Sequence, residues 1–239
     1  GVFFERDQAR FLDQFRANVR LLDGDIKQSL ALAVMCRALT RKVLLGHFAH
    51  LNAIRYSKDP VRVRVNPSIA RPLKDLFVQL VGDYNDAVFD NGQRNTFHHG
   101  DTIDVVRNLR GVDLAYFDPP YCGLHPDYQA FYHFLETFVE YWTNKEFING
   151  TKQYSPKRKS GFVLKSEIVH SFEKLFAASA HIPYWLLSYN SKSYPSKETL
   201  IDLIQVHKKV EVFEHEYVKN YGGKGSKQGT REYLFYCYN

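Results

Sequence analysis

Val112-Asp113-Leu114-Ala115-Tyr116-Phe117 runs without a break into Asp118-Pro119-Pro120-Tyr121. The first six residues are mostly apolar or aromatic and predict a β-strand, which the two prolines end. In open α/β sheets, ligands bind beyond the carboxyl ends of the strands. Asp118 is therefore expected in a ligand site, beside a stiff turn whose carbonyls have no competing local amide donors.

A carboxylate beside a fixed carbonyl presents two hydrogen-bond acceptors, which suit a planar amino group with two N–H bonds. The exocyclic amine of adenine is a poor nucleophile because its lone pair is delocalised into the ring. Acceptors on both hydrogens localise that lone pair and stabilise the charge that develops when the nitrogen attacks an electrophilic methyl group. A base reaches such a turn only outside the duplex, where the Tyr121 ring offers a stacking surface. The competing interpretation is a structural Pro-Pro turn with an incidental aspartate.

Beyond residue 95, apolar runs of strand length alternate with segments of helical periodicity. Strands are predicted at 96–99, 112–117 and 184–189, and helices at 102–109, 127–142, 166–178 and 196–205. This alternation predicts an α/β fold with a mostly parallel sheet. Two last strands, at 210–218 and 232–238, are joined too briefly for a helical crossover, so they are expected to form a terminal antiparallel hairpin.

The first part of the chain has a different pattern. Residues 7–22 predict an amphipathic helix, and 26–50 a longer, buried one. An extended basic segment is predicted at 55–72, where Val61, Val63 and Val65 alternate with basic residues, and a further helix at 73–89. We therefore divide the chain into a helical and basic region, 1–94, as a possible target-recognition or interface part, and a catalytic domain, 95–239.

The chain has a formal net charge of +6 and a pI of about 9.1, which is compatible with a polyanionic partner. Basic residues, with tyrosines among them, concentrate at 55–74, 152–165 and 219–231. Such segments hold phosphates and stack on bases, although solvated loops have the same composition. Six cations in the last two segments are predicted to contact DNA: Lys152, Lys157, Arg158, Lys159, Lys224 and Lys227.

Several classes of protein are disfavoured. There is no apolar run of membrane-spanning length and no signal segment at the start. The three cysteines are widely spaced, which fits a reducing cytoplasm and lacks the pairing of a zinc site. His47 and His50 lie one helical turn apart with no third ligand nearby in sequence, so no metal site is expected.

From Phe97 to Tyr236 the sequence resembles the Dam-like adenine-N6 DNA methyltransferases of bacterial restriction–modification systems. The Asp118–Tyr121 tetrapeptide carries the resemblance most specifically. Supporting stretches are Gly100-Asp101, Tyr132-His133-Phe134-Leu135-Glu136-Thr137, Leu187-Ser188-Tyr189-Asn190-Ser191 and Arg231-Glu232-Tyr233-Leu234-Phe235.

The resemblance implies a Rossmann-like, S-adenosylmethionine-dependent methyltransferase sheet that acts on double-stranded DNA in the bacterial cytoplasm. It implies that Asp118, Pro119, Pro120 and Tyr121 hold the target adenine, with Asp118 also next to the cofactor. Asp101 matches the position that contacts the adenine of S-adenosylmethionine. The alternative interpretation of Asp101 is an N-cap of the following helix.

The sequence departs from the family at one point. A glycine-rich Phe-x-Gly-x-Gly segment, which cradles the methionine part of the cofactor, is expected upstream together with a second strand ending in an acidic residue. Gly1-Val2-Phe3-Phe4 is at best a remnant, and Gly222-Gly223-Lys224-Gly225 lies between the last two strands. Because neither feature is found, we expect the N-terminal strands to be missing. The chain also begins with Gly rather than Met, so we expect a fragment or one subunit of a split enzyme. An N-terminal segment or companion polypeptide is expected to dock on the strands ending at Asp101 and Asp118.

Two rival functions remain at this level. An RNA adenine-N6 methyltransferase would use the same chemistry, and a DNA-binding subunit without catalysis would keep the fold. The intact Asp118 favours an enzyme, whereas the missing glycine-rich segment favours a non-catalytic subunit.

Overall fold

The computed structural model describes residues 2–49, 51–123, 128–142, 145–148, 153–154, 160–217 and 229–239. Contacts divide the chain into two compact units. The first, the helical unit, combines residues 1–93 with 128–157, and the second, the sheet unit, combines 94–127 with 158–239. No helix among the described residues is long and apolar enough to cross a membrane.

The sheet unit contains four strands in the order β1-β2-β4-β3: β1 (Leu114–Phe117), β2 (Tyr184–Asn190), β3 (Lys209–Tyr217) and β4 (Thr230–Tyr238). β1 and β2 are parallel, and β4 lies antiparallel between β2 and β3. The predicted terminal antiparallel hairpin is therefore confirmed. The prediction of a mostly parallel sheet is not, because two of the three strand pairings among the described residues are antiparallel. One edge of the sheet collects the carboxyl ends of β1 and β2 together with the first residues of β4.

Side-chain alternation along the strands fixes the core of this unit. Trp185, Leu187 and Tyr189 on β2, with Phe235 and Cys237 on β4, are at most 1% exposed. They pack in one apolar cluster with residues of three helices: α6 (Thr102–Asn108), α8 (Ile168–Ser179) and α9 (Lys197–Gln205). These helices confirm the predictions at 102–109, 166–178 and 196–205. Burying each large side chain contributes about 1.5–3 kcal/mol.

The helical unit is built from α1 (Arg6–Val19), α2 (Asp25–Lys42), α3 (Ala53–Tyr56), α4 (Pro60–Val65), α5 (Leu73–Asp86) and α7 (Tyr128–Glu140). α7 belongs here because its apolar face, including Phe134 and Phe138, packs into the core of this unit. Arg16 on α1 also donates to the carbonyls of Phe138 and Val139, at 3.1 and 2.8 Å. The compact units therefore differ from the predicted division at 94 and 95.

The predicted helix at 26–50 ends earlier, at Lys42. Leu45 and Gly46 have φ values of 60° and 73°, a backbone conformation that stops an α-helix. The expected burial holds only for the second half of α2: Met35 and Leu39 are fully buried, whereas Ile26 is 78% exposed.

The prediction of an extended segment at 55–72 is wrong, because residues 60–65 form α4. Asp59 caps this helix, its carboxylate accepting from the amides of Val61 and Arg62 at 2.9 and 3.3 Å. Pro60 occupies the first helical position, where its fixed φ favours the helix and no amide is required. This local start signal outweighs the β propensity of the alternating valines.

The prediction of a strand at 96–99 is also wrong. These residues have no regular structure, and Phe97 is 87% exposed. A strand needs a hydrogen-bonded neighbour. Among the described residues β1 pairs only with β2, so residues 96–99 have no strand partner in the sheet.

Candidate active site

Asp118 follows directly on the last residue of β1. Phe117 anchors this end of the strand, since it is buried and its ring meets Trp185 edge-on at 6.2 Å. Asp118 itself is exposed, and its Oδ1 accepts a hydrogen bond from the Ser188 hydroxyl at 3.0 Å. The carboxylate therefore has a preferred orientation while remaining open to a ligand.

Tyr121 closes the turn on the other side of the two prolines. Its ring is half-buried and packs edge-on against Tyr189, with 5.6 Å between the ring centroids. Burial raises the pKa of the Tyr121 phenol, a hydrogen bond with Ser188 partly opposes that shift, and the charges of Glu232 and Asp118 add to it. The ring is thus neutral and held in place near physiological pH. Asp118, Tyr121 and Ser188 form what we call the Asp118 cluster.

A second polar pair lies at the same edge of the sheet. Asn190, at the end of β2, is 1% exposed and pairs in register with Glu232 on β4. The Nδ2 group of Asn190 donates to Glu232 Oε1 at 2.9 Å, and the side-chain oxygen Oδ1 of Asn190 accepts from the backbone amide of Lys192 at 2.8 Å. This pair fixes the end of β2 and places a carboxylate close enough to Tyr121 to shift its pKa.

Two hydrogen bonds of Cys122 hold the turn in place. Its carbonyl accepts from the Tyr194 amide at 3.0 Å, and its thiol donates to the Val163 carbonyl at 3.5 Å. The Tyr189 hydroxyl donates to the Tyr194 carbonyl, which ties the same segment back to β2. Cys122 is 1% exposed, and burial raises the pKa of its thiol, so it serves as a structural residue.

Asp101 is the N-cap of α6, its Oδ1 accepting from the Ile103 amide at 2.8 Å. It also lines a shallow cleft of about 360 Å³ with His98, Gly100 and Asp104. The N-cap interpretation of Asp101 is thereby confirmed, and the cleft leaves room for a ligand beside the same carboxylate.

The predicted site residues fall into two groups. Asp118, Pro119, Pro120, Tyr121 and Asp101 all lie in the sheet unit. The six predicted DNA contacts, Lys152, Lys157, Arg158, Lys159, Lys224 and Lys227, lie outside the described residues.

Sequence reasoning missed the second layer of the site, namely Ser188, Asn190 and Glu232. These residues occur in two of the stretches that carry the family resemblance, 187–191 and 231–235. Their place in those stretches was the sequence signal that could have pointed to them. In the parts of the chain that the structure describes, no group of three or more His, Cys, Asp or Glu side chains is placed to hold a metal ion.

A mixed sheet with an acidic Pro-Pro-Tyr turn at the carboxyl end of a strand is consistent with a methyltransferase. Two known proteins share sequence with this chain. Type II methyltransferase M2.HphI of Haemophilus parahaemolyticus is 32% identical over 249 residues, covering 100% of this chain and 69% of its own length. Type II methyltransferase M.CviAII of Paramecium bursaria Chlorella virus 1 is 34% identical over 130 residues, which cover 53% of this chain and 37% of its own length.

The chain therefore belongs to the type II methyltransferases, the family of DNA methyltransferases of restriction–modification systems. Neither a protein-family profile nor a solved structure matches it.

Proposed function

We propose that this chain transfers a methyl group from S-adenosylmethionine to the N6 amine of an adenine flipped out of double-stranded DNA. It would be the modification component of a restriction–modification system, of the Dam-like subclass. The observation that carries the proposal is the Asp118 cluster at the carboxyl end of β1. In it, the Ser188 hydroxyl orients the Asp118 carboxylate, and the Tyr121 ring packs against Tyr189. We also place the enzyme in the bacterial cytoplasm, where its unpaired cysteines stay reduced.

The residues of the Asp118 cluster have separate tasks in this proposal. Asp118 accepts one N–H of the adenine amine, and a backbone carbonyl of the Pro119-Pro120 turn accepts the other. Because the Ser188 hydroxyl already holds the carboxylate at 3.0 Å, little reorganisation is needed when positive charge develops on the nitrogen. The Tyr121 ring, backed by Tyr189, stacks on the extruded base.

S-adenosylmethionine, when bound, supplies the electrophilic methyl group. The residues present fit the part of a cofactor site that accepts hydrogen bonds: Asp101 would accept from the amino group of the cofactor's adenine, and Asp118 would lie next to the methyl donor. The cleft beside Asp101 supports this assignment. The sequence contains no Phe-x-Gly-x-Gly segment to hold the methionine part.

We propose that an N-terminal segment or companion polypeptide supplies that segment and docks on β1. Two features support this. β1 is an edge strand among the described residues, and Leu114 and Tyr116 on it are 48% and 58% exposed. Parallel strands are normally covered, and bare apolar edges promote aggregation. Isothermal titration with S-adenosylmethionine tests the idea. We expect weak binding by the isolated chain and tight binding after addition of the polypeptide encoded next to it, whereas micromolar binding by the chain alone would contradict it.

We further propose that the cations at 152–159 and at Lys224 and Lys227 contact DNA phosphates. Transfer of labelled methyl groups from S-adenosylmethionine tests the function as a whole. The complete enzyme is offered duplex DNA and, separately, a structured RNA of matched length. We expect incorporation into DNA only. Incorporation into RNA alone would favour an RNA methyltransferase, and DNA binding without incorporation would favour a non-catalytic subunit.

A further inference from the structure

The face of α4 that points away from the helical unit has a composition that folding alone does not explain. Val61, Arg64 and Val65 are spaced i, i+3 and i+4, so they lie on one side of the helix. Val61 is 65% exposed and Val65 is 79% exposed. Valine is a mediocre helix former, and neither valine contributes to a core.

Contacts on both sides of α4 in the sequence fix the position of this helix. Asp59 caps α4 and pairs with Arg62 at 3.4 Å, and the Arg62 guanidinium lies 4.1 Å from the centroid of the Tyr56 ring. The next turn, Pro67–Ile69, is fixed by the buried ammonium of Lys42 on α2, which donates to the carbonyls of Ile69 and Arg71. An exposed element with this support is preorganised to bind a partner.

The charge around α4 points to a polyanion. Between Arg55 and Lys74 the sequence has six basic residues and a single acidic one, Asp59, which is engaged by Arg62 and the helix cap. Arg64 is exposed and has no carboxylate partner among the described residues. Arg64 shares this side of the helix with the two exposed valines, so a cationic hydrogen-bond donor has apolar side chains as its neighbours.

We propose that α4 enters the major groove of duplex DNA and reads the target sequence, an inference that rests on the proposed methylation of DNA. An α-helix with its side chains is about 10–12 Å across, which fits a major groove about 12 Å wide. Arg64 donates two hydrogen bonds to the O6 and N7 of a guanine, and Val61 and Val65 pack on the C5-methyl groups of thymines. Arg55, exposed just before α4, contacts a phosphate and positions the helix.

Selection from a library of randomised DNA duplexes, followed by titration, tests this role. The chain is used together with the polypeptide encoded beside it, and each variant is titrated with the selected duplex and with a scrambled duplex of the same composition. We expect Arg64→Ala and Arg64→Lys to reduce the preference for the selected duplex by about tenfold to a hundredfold. Arg64→Lys should bind the scrambled duplex as the wild type does, because it keeps the charge. Arg37→Ala, which removes an exposed arginine of α2, is the matched control and should keep the preference.

Three results would overturn the proposal. If Arg64→Lys retains the full preference, the preference does not depend on the guanidinium group, and the two hydrogen bonds proposed from Arg64 to a guanine are wrong. If Arg64→Ala retains it, the face serves another partner, and if the wild type selects no sequence, the chain does not read DNA. Asp118→Ala separates this inference from the catalytic one, since it should keep the selected sequence while methyl transfer is abolished.

Discussion

Asp118 and Ser188 are 70 residues apart in sequence and meet because β1 and β2 run side by side in parallel. The hydroxyl fixes one oxygen of the carboxylate, so the acceptor is oriented before a substrate arrives. Such preorganisation is what the proposed role of Asp118 as a hydrogen-bond acceptor requires.

We expect Asp118→Asn to lower the rate of methyl transfer by about a hundredfold to a thousandfold, since an amide group replaces a charged acceptor. Folding should be unaffected because the side chain is exposed. Turnover and the melting temperature are measured together. Asp113→Asn, at a position just before β1, is the control and should behave as the wild type. A variant at 118 with near-wild-type turnover would remove Asp118 from the mechanism.

Tyr121 should matter for capture of the extruded base more than for binding of the duplex. Stacking of a base on an aromatic ring contributes about 1–3 kcal/mol. Fluorescence of 2-aminopurine at the target position reports extrusion, so Tyr121→Ala should dim the signal while duplex affinity stays constant. Tyr121→Phe keeps the ring and should retain the signal. Equal fluorescence in the alanine variant would show that the base stacks elsewhere.

Candidate site residues that are adjacent in the sequence are easier to predict than residues that come together only in the folded chain. Asp118 and Tyr121 could be predicted because they stand in one tetrapeptide after an apolar run. Ser188, Asn190 and Glu232 could not, since their roles depend on strand pairing, such as Asn190 opposite Glu232. No local pattern encodes that register.

Among the elements, α4 shows how a local signal can outweigh side-chain alternation. The period of two in Val61, Val63 and Val65 favours a strand, but Asp59 and Pro60 start a helix at that place. The strands of the sheet were predictable because their alternation agrees with burial on one face. The segment at 96–99 had the pattern of a strand without a neighbouring strand, among the described residues, to complete it.

Asp59 should therefore control the local stability of α4. Replacing an N-cap with alanine costs about 1 kcal/mol, and asparagine caps nearly as well as aspartate. In Asp59→Ala we expect faster hydrogen exchange at the amides of Val63 and Asn66, which bond back to Asp59 and Arg62. Asp59→Asn should keep most of the protection. If both variants exchange alike, the ion pair with Arg62 rather than the cap maintains the helix.

For the whole molecule, the division into units was the hardest feature to predict. α7 follows the Asp118 turn closely in sequence, yet its apolar face belongs to the core of the helical unit. The apolar periodicity of 127–142 correctly predicts a helix, but periodicity does not say which core a helix joins. That choice depends on the shape of the partner surface, which only the folded chain shows.

The basic segment after α7 should contribute to DNA binding of the whole enzyme. We expect simultaneous replacement of Lys157, Arg158 and Lys159 by glutamine to lower affinity for duplex DNA. The log–log slope of affinity against salt should fall by about 0.9 for each phosphate that the variant no longer neutralises. Titrations at several salt concentrations measure the slope. An unchanged slope would show that these cations are solvated and bind no phosphate.

The identity of the methylated base is the most direct test of the proposed chemistry. The chain, supplemented with the polypeptide encoded beside it, is incubated with duplex DNA and S-adenosylmethionine, and the DNA is digested to nucleosides for mass spectrometry. We predict N6-methyladenine, formed by Asp118→Asn at an initial rate about a hundredfold to a thousandfold below that of the wild type. A methylated cytosine in its place, or equal initial rates of N6-methyladenine formation by both proteins, would contradict the proposal.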